Sequence, residues 1–311
     1  MSAIFLHKLV DDNTEALNLK WEVKHEGDHR SIDSKVVNSS PNGLIGHLNL
    51  IHPNWIQIFS RTEAAHFRDI SIDSQNESLE KITENTACFI ISDGEKCPYA
   101  ISKVAKNHNI PVLTSSLPSL QIIWVLRTYL GRALADYVTQ HGVLLDVLGV
   151  GVMITGDSGV GKSELALELI SRGSGLVADD VVELFHIAPK TLEGRSPELL
   201  KDFLEVRGLG LLNIRTIFGE TAVRRRKNLK LIVELVKPGH GKTTQAERLP
   251  LQASSQNILD VDVKKVQLPV AAGRNLAVLV EAAVRNYVLQ LRGIDSTQEF
   301  MARQSKIIAD Q

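Results

Sequence analysis

Residues 150–171 read VGVMITGDSGVGKSELALELIS, and this stretch decides the fold. Gly156-Asp157-Ser158-Gly159-Val160-Gly161-Lys162-Ser163 fills every fixed position of the phosphate-binding pattern G-x-x-x-x-G-K-[ST]. The apolar run from Val150 to Thr155 predicts a buried strand before the loop, and the apolar spacing from Glu164 to Ser171 predicts a helix after it. In that order the loop N–H groups and the helix N-terminus face an anion, Lys162 reaches the outer phosphates and the Ser163 hydroxyl suits Mg²⁺. A chance glycine-rich turn would not need both Lys and Ser in this context. Nucleoside phosphate chemistry is therefore the first expectation. Gly241-Lys242-Thr243 repeats only the end of the pattern. Val236 stands where the first glycine is required, and Lys237 to His240 reads as a polar turn, so this copy is assigned no phosphate role.

Working outward, His141-Gly142 precedes the apolar run Val143 to Leu148, and Leu148-Gly149 permits a tight reversal into the loop strand. The strand should then pair with its own predecessor as a hairpin, giving a mixed rather than all-parallel sheet. Farther upstream, Cys88 to Ser92 and Ile110 to Thr114 read as strands, and Pro98 to Asn107 and Ser116 to Leu134 as helices, the latter entered after Pro118. This alternation predicts an α/β domain over residues 1–135, with a second domain over 136–311 and a boundary near Asp136 to Gln140. His52, His66 and His108 lack ligand-like spacing, so the first half carries no catalytic constellation and is assigned a regulatory or assembly role. At the other end, a helix is expected over Leu276 to Leu291, a break at Gly293, and a capped helix beginning at Ser296 with Glu299 three residues on.

The 311 residues suit two domains, and 43 % hydrophobic content supplies two cores. A net charge of −1 gives no bias toward nucleic acid or membrane. Two cysteines, Cys88 and Cys97, suggest a reducing compartment. No basic region followed by an apolar core opens the chain, and no run reaches a membrane-spanning length, so a cytoplasmic protein is expected.

Three further segments carry chemistry. Asp179-Asp180 follows the apolar Leu176-Val177-Ala178, where one carboxylate can serve a metal and its neighbour accept a proton. Two solvated aspartates at the end of an element are the other reading. In Leu204 to Asn213 (LEVRGLGLLN) a carboxylate and a guanidinium flank two glycines, so Glu205 lies where the backbone can approach a ligand. Pro269 to Asn275 (PVAAGRN) combines a turn, the Arg274 guanidinium and a helix start. The run Arg224 to Lys227 reads as a solvated face and is left out of the site.

Together, HGVLLDVLGVGVMITGDSGVGKSE (residues 141–164), LVADDVVEL, LEVRGLGLLN and PVAAGRN closely resemble the bifunctional HPr kinase/phosphorylase family of bacterial sugar-phosphotransferase regulation. The motifs span His141 to Asn275 in the family's order; none of comparable sharpness precedes His141. The resemblance implies a P-loop kinase domain similar to phosphoenolpyruvate carboxykinase, following an α/β domain. It implies that a serine of the phosphocarrier protein HPr is phosphorylated from ATP or pyrophosphate with Mg²⁺, and that phosphate attacks the phosphoserine in reverse to give pyrophosphate. The family's active-site positions fall on His141, Lys162, Asp180 and Arg248, its nucleotide loop on Gly156 to Ser163, and its Mg²⁺ ligands on Ser163 and Glu205. Residues 204–213 serve both directions in the family, residues 269–274 mainly the reverse, and the assembly is a homohexamer. Where many members have Pro before the last Gly-Arg-Asn, this chain has Ala272.

The chemistry is consistent with those positions. A serine hydroxyl is a weak nucleophile, so Asp180 would take its proton and return it in the reverse direction. His141 would contact phosphate or orient Asp180. Two other functions compete: a different P-loop kinase or triphosphatase, and a non-catalytic nucleotide sensor. A GTPase is disfavoured because N-K-x-D is absent and Asp146 to Gly149 places D-x-x-G ahead of the loop. A sensor needs neither the base nor the turn around Arg274.

Overall fold

The computed structural model describes residues 3–24, 30–34, 43–49, 51–84, 86–237, 254–271 and 273–309. Two compact units divide the chain, Met1–Asp136 and Tyr137–Gln311.

In the first unit the strands are β1 (Ala3–Phe5), β2 (Lys20–Val23), β3 (Ser31–Asp33), β4 (Gly43–His47), β5 (Asn54–Phe59), β6 (Cys88–Ile91) and β7 (Val112–Thr114). β1 pairs with β3, and the other five form a sheet in the order β2-β7-β6-β5-β4. Strands β4 to β7 run parallel, with β2 antiparallel at one edge. Alternation decides which side chain meets which layer. Ile56, Ile58, Cys88 and Ile90 pack with helices Leu6–Leu17 and Ser119–Ala133. Phe59, Phe89 and Ile91 face the other way, toward helices Arg61–Asp69, Ile72–Glu80 and Tyr99–Asn107. The expected strand at Ile110 starts instead at Val112. Pro111 has no N–H to give the ladder, although its carbonyl accepts from Phe89 at 3.0 Å.

In the second unit the strands are β8 (Tyr137–His141), β9 (Val143–Val147), β10 (Val150–Gly156), β11 (Gly175–Ala178), β12 (Val181–Ala188), β13 (Thr191–Arg195), β14 (Phe203–Val206), β15 (Gly210–Asn213), β16 (Lys227–Val236), β17 (Ser254–Ile258) and β18 (Val261–Pro269). Nine of these make one mixed sheet, and β14 and β15 form a separate hairpin. The reversal at Leu148-Gly149 is present. Val147 faces Val150 across an antiparallel pair, and both turn residues take positive φ, 52° and 84°. On its other side β10 runs parallel to β16, which runs parallel to β18.

Both faces of β9 and β10 are covered, which is why they read as nearly unbroken apolar runs. Val143, Leu145, Val152 and Ile154 pack against helices Lys162–Ser171 and Leu276–Leu291. Leu144 and Met153 pack on the other side with Leu184 and Leu192 of β12 and β13. Arg172, just past the loop helix, donates to both carboxylate oxygens of Glu281 at 2.8 and 3.1 Å, tying the two helices together. That pairing holds the Glu281 carboxyl below the usual range.

The last helix, Ser296–Ala309, begins one residue beyond its cap. The start at Ser296 is as expected, and Asp295 supplies the cap: its Oδ1 accepts from Thr297 and Gln298 at 2.9 and 3.3 Å. Ser296 is thus the first helical residue, and a carboxylate at the positive end of the dipole is the stronger acceptor.

Leu148 is 54 % exposed and held in the left-handed region, which costs a branched side chain roughly 1–2 kcal/mol. Asn-Gly is the preferred sequence for this turn. Leu148→Asn should therefore raise stability by about 0.5–1 kcal/mol, measured as a higher thermal unfolding midpoint; a lower midpoint would show that Leu148 contributes a contact.

Candidate active site

The parallel strands β10, β16 and β18 finish at one edge of the sheet, where Gly156 faces Leu235 and Val236 faces Pro269. The antiparallel neighbour β9 begins at that edge, since Val143 faces Ile154. β11 runs antiparallel to β9 and so ends there, with Ala178 opposite Leu144. Topology alone therefore delivers the glycine loop, His141-Gly142, Asp179-Asp180 and the start of Pro269 to Asn275 to the same edge. Carboxyl ends of parallel strands are where α/β sheets receive ligands.

Close approach of backbones explains the first loop glycine. A Cβ on Gly156 would lie 2.5 Å from the Leu235 carbonyl oxygen, so only glycine lets β10 leave β16 here. Gly161 takes φ 99° as the residue before helix Lys162–Ser171, opening the helix without a side-chain cap. Lys162 Nζ donates to the carbonyls of Gly156 and Asp157 at 2.9 and 3.0 Å, so the loop's own backbone holds the ammonium. Among the described residues, no hydrogen bond or ion pair joins Lys162 to Asp180 or Glu205.

The two aspartates have different environments. Asp180 is exposed and adopts φ 61°, an uncommon conformation for a non-glycine residue. A three-residue turn fixes it, with Val181 N–H donating to the Asp179 carbonyl at 2.7 Å. Pairing of β8 with β12 places His141 opposite Val181. His141 Nδ1 is 3.2 Å from the Asp180 carbonyl oxygen and 3.6 Å from its carboxylate, and Gly142 N–H donates to the same carbonyl at 3.2 Å. Asp179 is only 6 % exposed, and its Oδ2 accepts from the backbone N–H of Glu205 at 2.8 Å. Burial pushes the Asp179 carboxyl upward. The N–H groups of Glu205 and Asp180 pull it down, and the nearby Asp180 and Glu205 charges add to the rise. The sequence shows the acidic pair, but not that Asp179 is buried and uses an oxygen to hold Glu205.

Glu205 belongs to the hairpin β14–β15, where it faces Leu211. Its side chain is exposed. The connecting residues Arg207-Gly208-Leu209 form a short loop, and Arg207 Nη1 lies 3.6 Å from where a Cβ on Gly159 would sit, bringing the hairpin to the phosphate loop. Arg274 is exposed and follows Gly273, whose φ is 80°. Asn275 then caps helix Leu276–Leu291 by accepting from Val278 at 2.9 Å. Arg248, Ala272 and Gly241-Lys242-Thr243 lie outside the described residues. Most of the Arg224–Lys227 run is used structurally: Arg224 and Lys227 pair with Asp146 at 3.3 and 3.0 Å, and Arg226 with Glu193 at 3.8 Å. Asp146 is thereby committed to structure.

Among the described residues, no three His, Cys, Asp or Glu side chains are grouped to hold a metal by themselves. Mg²⁺ in a phosphate site takes one or two protein ligands and completes its shell with phosphate oxygens and water. The Ser163 hydroxyl and the Glu205 carboxylate, neither in an ion pair among the described residues, are oxygen donors of the required type.

A glycine loop on a mixed sheet, with an acidic pair at its edge, defines a P-loop phosphotransferase. Residues 132–304 match the family described as HPr Serine kinase C-terminal domain, and residues 4–130 match HPr Serine kinase N terminus. A protein of Nitrosomonas europaea named HPr kinase/phosphorylase is 56 % identical over 310 residues, covering 99 % of this chain and 96 % of its own. The protein of the same name from Chromobacterium violaceum is 50 % identical over 313 residues, covering 100 % and 98 %. A solved structure, the Hpr(Ser) kinase/phosphatase from Coxiella burnetii, is 36 % identical with a TM-score of 0.46, and covers 52 % of this chain and 98 % of its own. The chain belongs to the HPr kinase/phosphorylase family and is a kinase/phosphorylase enzyme.

Asp179→Asn retains an oxygen for the Glu205 N–H and should leave the unfolding midpoint near wild type. Asp179→Leu leaves that part-buried donor without its acceptor and should cost about 1 kcal/mol in denaturant unfolding. Equal stability of the two variants would show that the hydrogen bond is not what holds the hairpin.

Proposed function

We propose that the chain transfers a phosphoryl group from ATP or pyrophosphate to a serine of the phosphocarrier protein HPr, and reverses the reaction with inorganic phosphate to yield pyrophosphate. HPr comes from the names of the relatives. The observation that carries the chemistry is Asp180, exposed on a fixed turn against His141 at the phosphate-loop edge.

In the forward direction the loop N–H groups and Lys162 bind the donor phosphates, Lys162 exchanging its two carbonyl contacts for phosphate oxygens. Asp180 takes the proton of the incoming serine hydroxyl as the oxygen–phosphorus bond forms, and the oxygen bridging to the departing phosphate keeps the electron pair. In reverse, a phosphate oxygen attacks the phosphoserine, and Asp180 returns the proton to the serine oxygen as it leaves. His141 holds the turn that presents Asp180. Mg²⁺, held by Ser163 and Glu205, would supply charge neutralisation at the phosphates. Arg274 docks the attacking phosphate, and Arg248 completes the assigned set. We assign residues 136–311 to catalysis and residues 1–135 to regulation or assembly, in a cytoplasmic homohexamer that uses neither nucleic acid nor membrane. No helix among the described residues is long and apolar enough to cross a membrane.

Purified protein mixed with HPr, ATP and Mg²⁺ should yield phosphoserine on HPr by mass spectrometry. Unmodified HPr would refute the substrate. Lys162→Ala should lower both directions by about 10³-fold or more. Asp180→Asn should do the same with nucleotide affinity unchanged in calorimetry, and an undiminished rate would remove the base assignment. Glu205→Gln should raise the Mg²⁺ concentration for half-maximal rate. Arg274→Ala should slow phosphorolysis more than phosphorylation in parallel rate measurements; equal losses would remove its docking role.

A further inference from the structure

The first unit contains a cavity of about 480 Å³ that phosphoryl transfer does not use. This lies within the roughly 300–1,000 Å³ typical of small-molecule sites. Its place follows from chain topology. After β6 the chain passes through Gly94 to Cys97 into helix Tyr99–Asn107, on the sheet face that holds Phe59 and Phe89. After the adjacent parallel strand β7 it passes through Ser115 and Ser116 into helix Ser119–Ala133, on the opposite face. Neighbouring strands whose connections depart to opposite faces leave a crevice between them, the usual ligand position in an open α/β sheet. Both connections line this cavity, and β2 closes its side.

The lining determines what would fit. Lys20 and Lys96 reach the cavity, and neither ammonium has an ion-pair partner among the described residues. Of the two acids present, Glu95 is already paired with Arg61 and Arg68 at 3.1 and 3.5 Å, leaving Glu22 as the opposing charge. Burial pushes the Cys97 thiol up to about 11, so it stays neutral and adds no negative charge. Asn18, Thr114 and Ser116 contribute polar groups, with Asn18 Nδ2 donating to the Ser116 hydroxyl oxygen at 2.8 Å and so leaving that O–H free to donate elsewhere.

We propose that this crevice binds a small hydroxylated organic anion, with Lys20 and Lys96 meeting its charge and Asn18, Thr114 and Ser116 its hydroxyl groups. Phosphate and carboxylate share the required chemistry, and the probes below separate them. The site lies wholly within the first unit and stands independently of the reaction proposed above.

Isothermal calorimetry on the full chain tests this, with Mg²⁺ and a non-hydrolysable ATP analogue saturating the phosphate loop so that the probe anions cannot report from there. The probes are glycerol 3-phosphate, malate and neutral glycerol. Saturable binding of glycerol 3-phosphate or malate, absent for glycerol and weakened by salt, is expected. Binding by the first alone identifies a phosphomonoester site, by malate alone a carboxylate site. Combining Lys20→Gln with Lys96→Gln should weaken binding at least about tenfold, while Glu22→Gln should tighten it by removing the opposing charge. All three side chains are on exposed residues, and unchanged unfolding midpoints would show that the variants fold. Failure of both anions to bind, or binding that the double variant leaves unchanged, overturns the proposal.

Discussion

The hydrogen bond from the Glu205 N–H to the buried carboxylate of Asp179 is the constraint on which the site's geometry depends. Asp179 is the last residue before the Asp180 turn, and its carbonyl also accepts the Val181 N–H that closes that turn. One residue thus fixes the exposed carboxylate through its backbone and the Glu205 hairpin through its side chain. Among the described residues the hairpin shares no ladder with the main sheet, so this bond adds a polar tie to the packing of Leu204 and Val206 in the core. A hydrogen bond accepted by an oxygen that is itself largely shielded from water is stronger than one in solvent, which suits it to that task.

The second constraint is the direction of the strands. Phosphate loops usually sit on all-parallel sheets, where each strand needs a crossover of a dozen residues or more. Here the Leu148-Gly149 reversal makes β9 an antiparallel partner of β10 and brings residue 142 back to the loop edge. A Cβ on Gly142 would lie 2.7 Å from the Ile154 carbonyl, which shows how closely the His141 segment is drawn against the loop strand. Residues far apart in sequence become neighbours through two short antiparallel steps.

Much of this was legible in the residues. The loop, its flanking strand and helix, the hairpin and the mixed sheet could be read because each rests on local pattern: glycine spacing, apolar runs and a two-residue turn. The acidic pair was visible, but its division of labour was not, because burial of Asp179 depends on packing around β11 and on a hairpin 26 residues away. The last helix begins at Ser296 as its sequence indicates, whereas the residue that caps it, Asp295, carries no comparable signal. The crevice at β6 and β7 was invisible for a different reason. It arises from the faces to which two helices depart, and no motif encodes that.

In the proposed reaction one set of groups runs the transfer both ways, with phosphate rather than water attacking the phosphoserine. The most direct measurement is incubation of phosphoserine-HPr with the enzyme, Mg²⁺ and isotopically labelled inorganic phosphate, followed by separation of the products. Dephosphorylation should require phosphate, and the label should appear in pyrophosphate. Release of unlabelled phosphate at the same rate in the absence of added phosphate would contradict it.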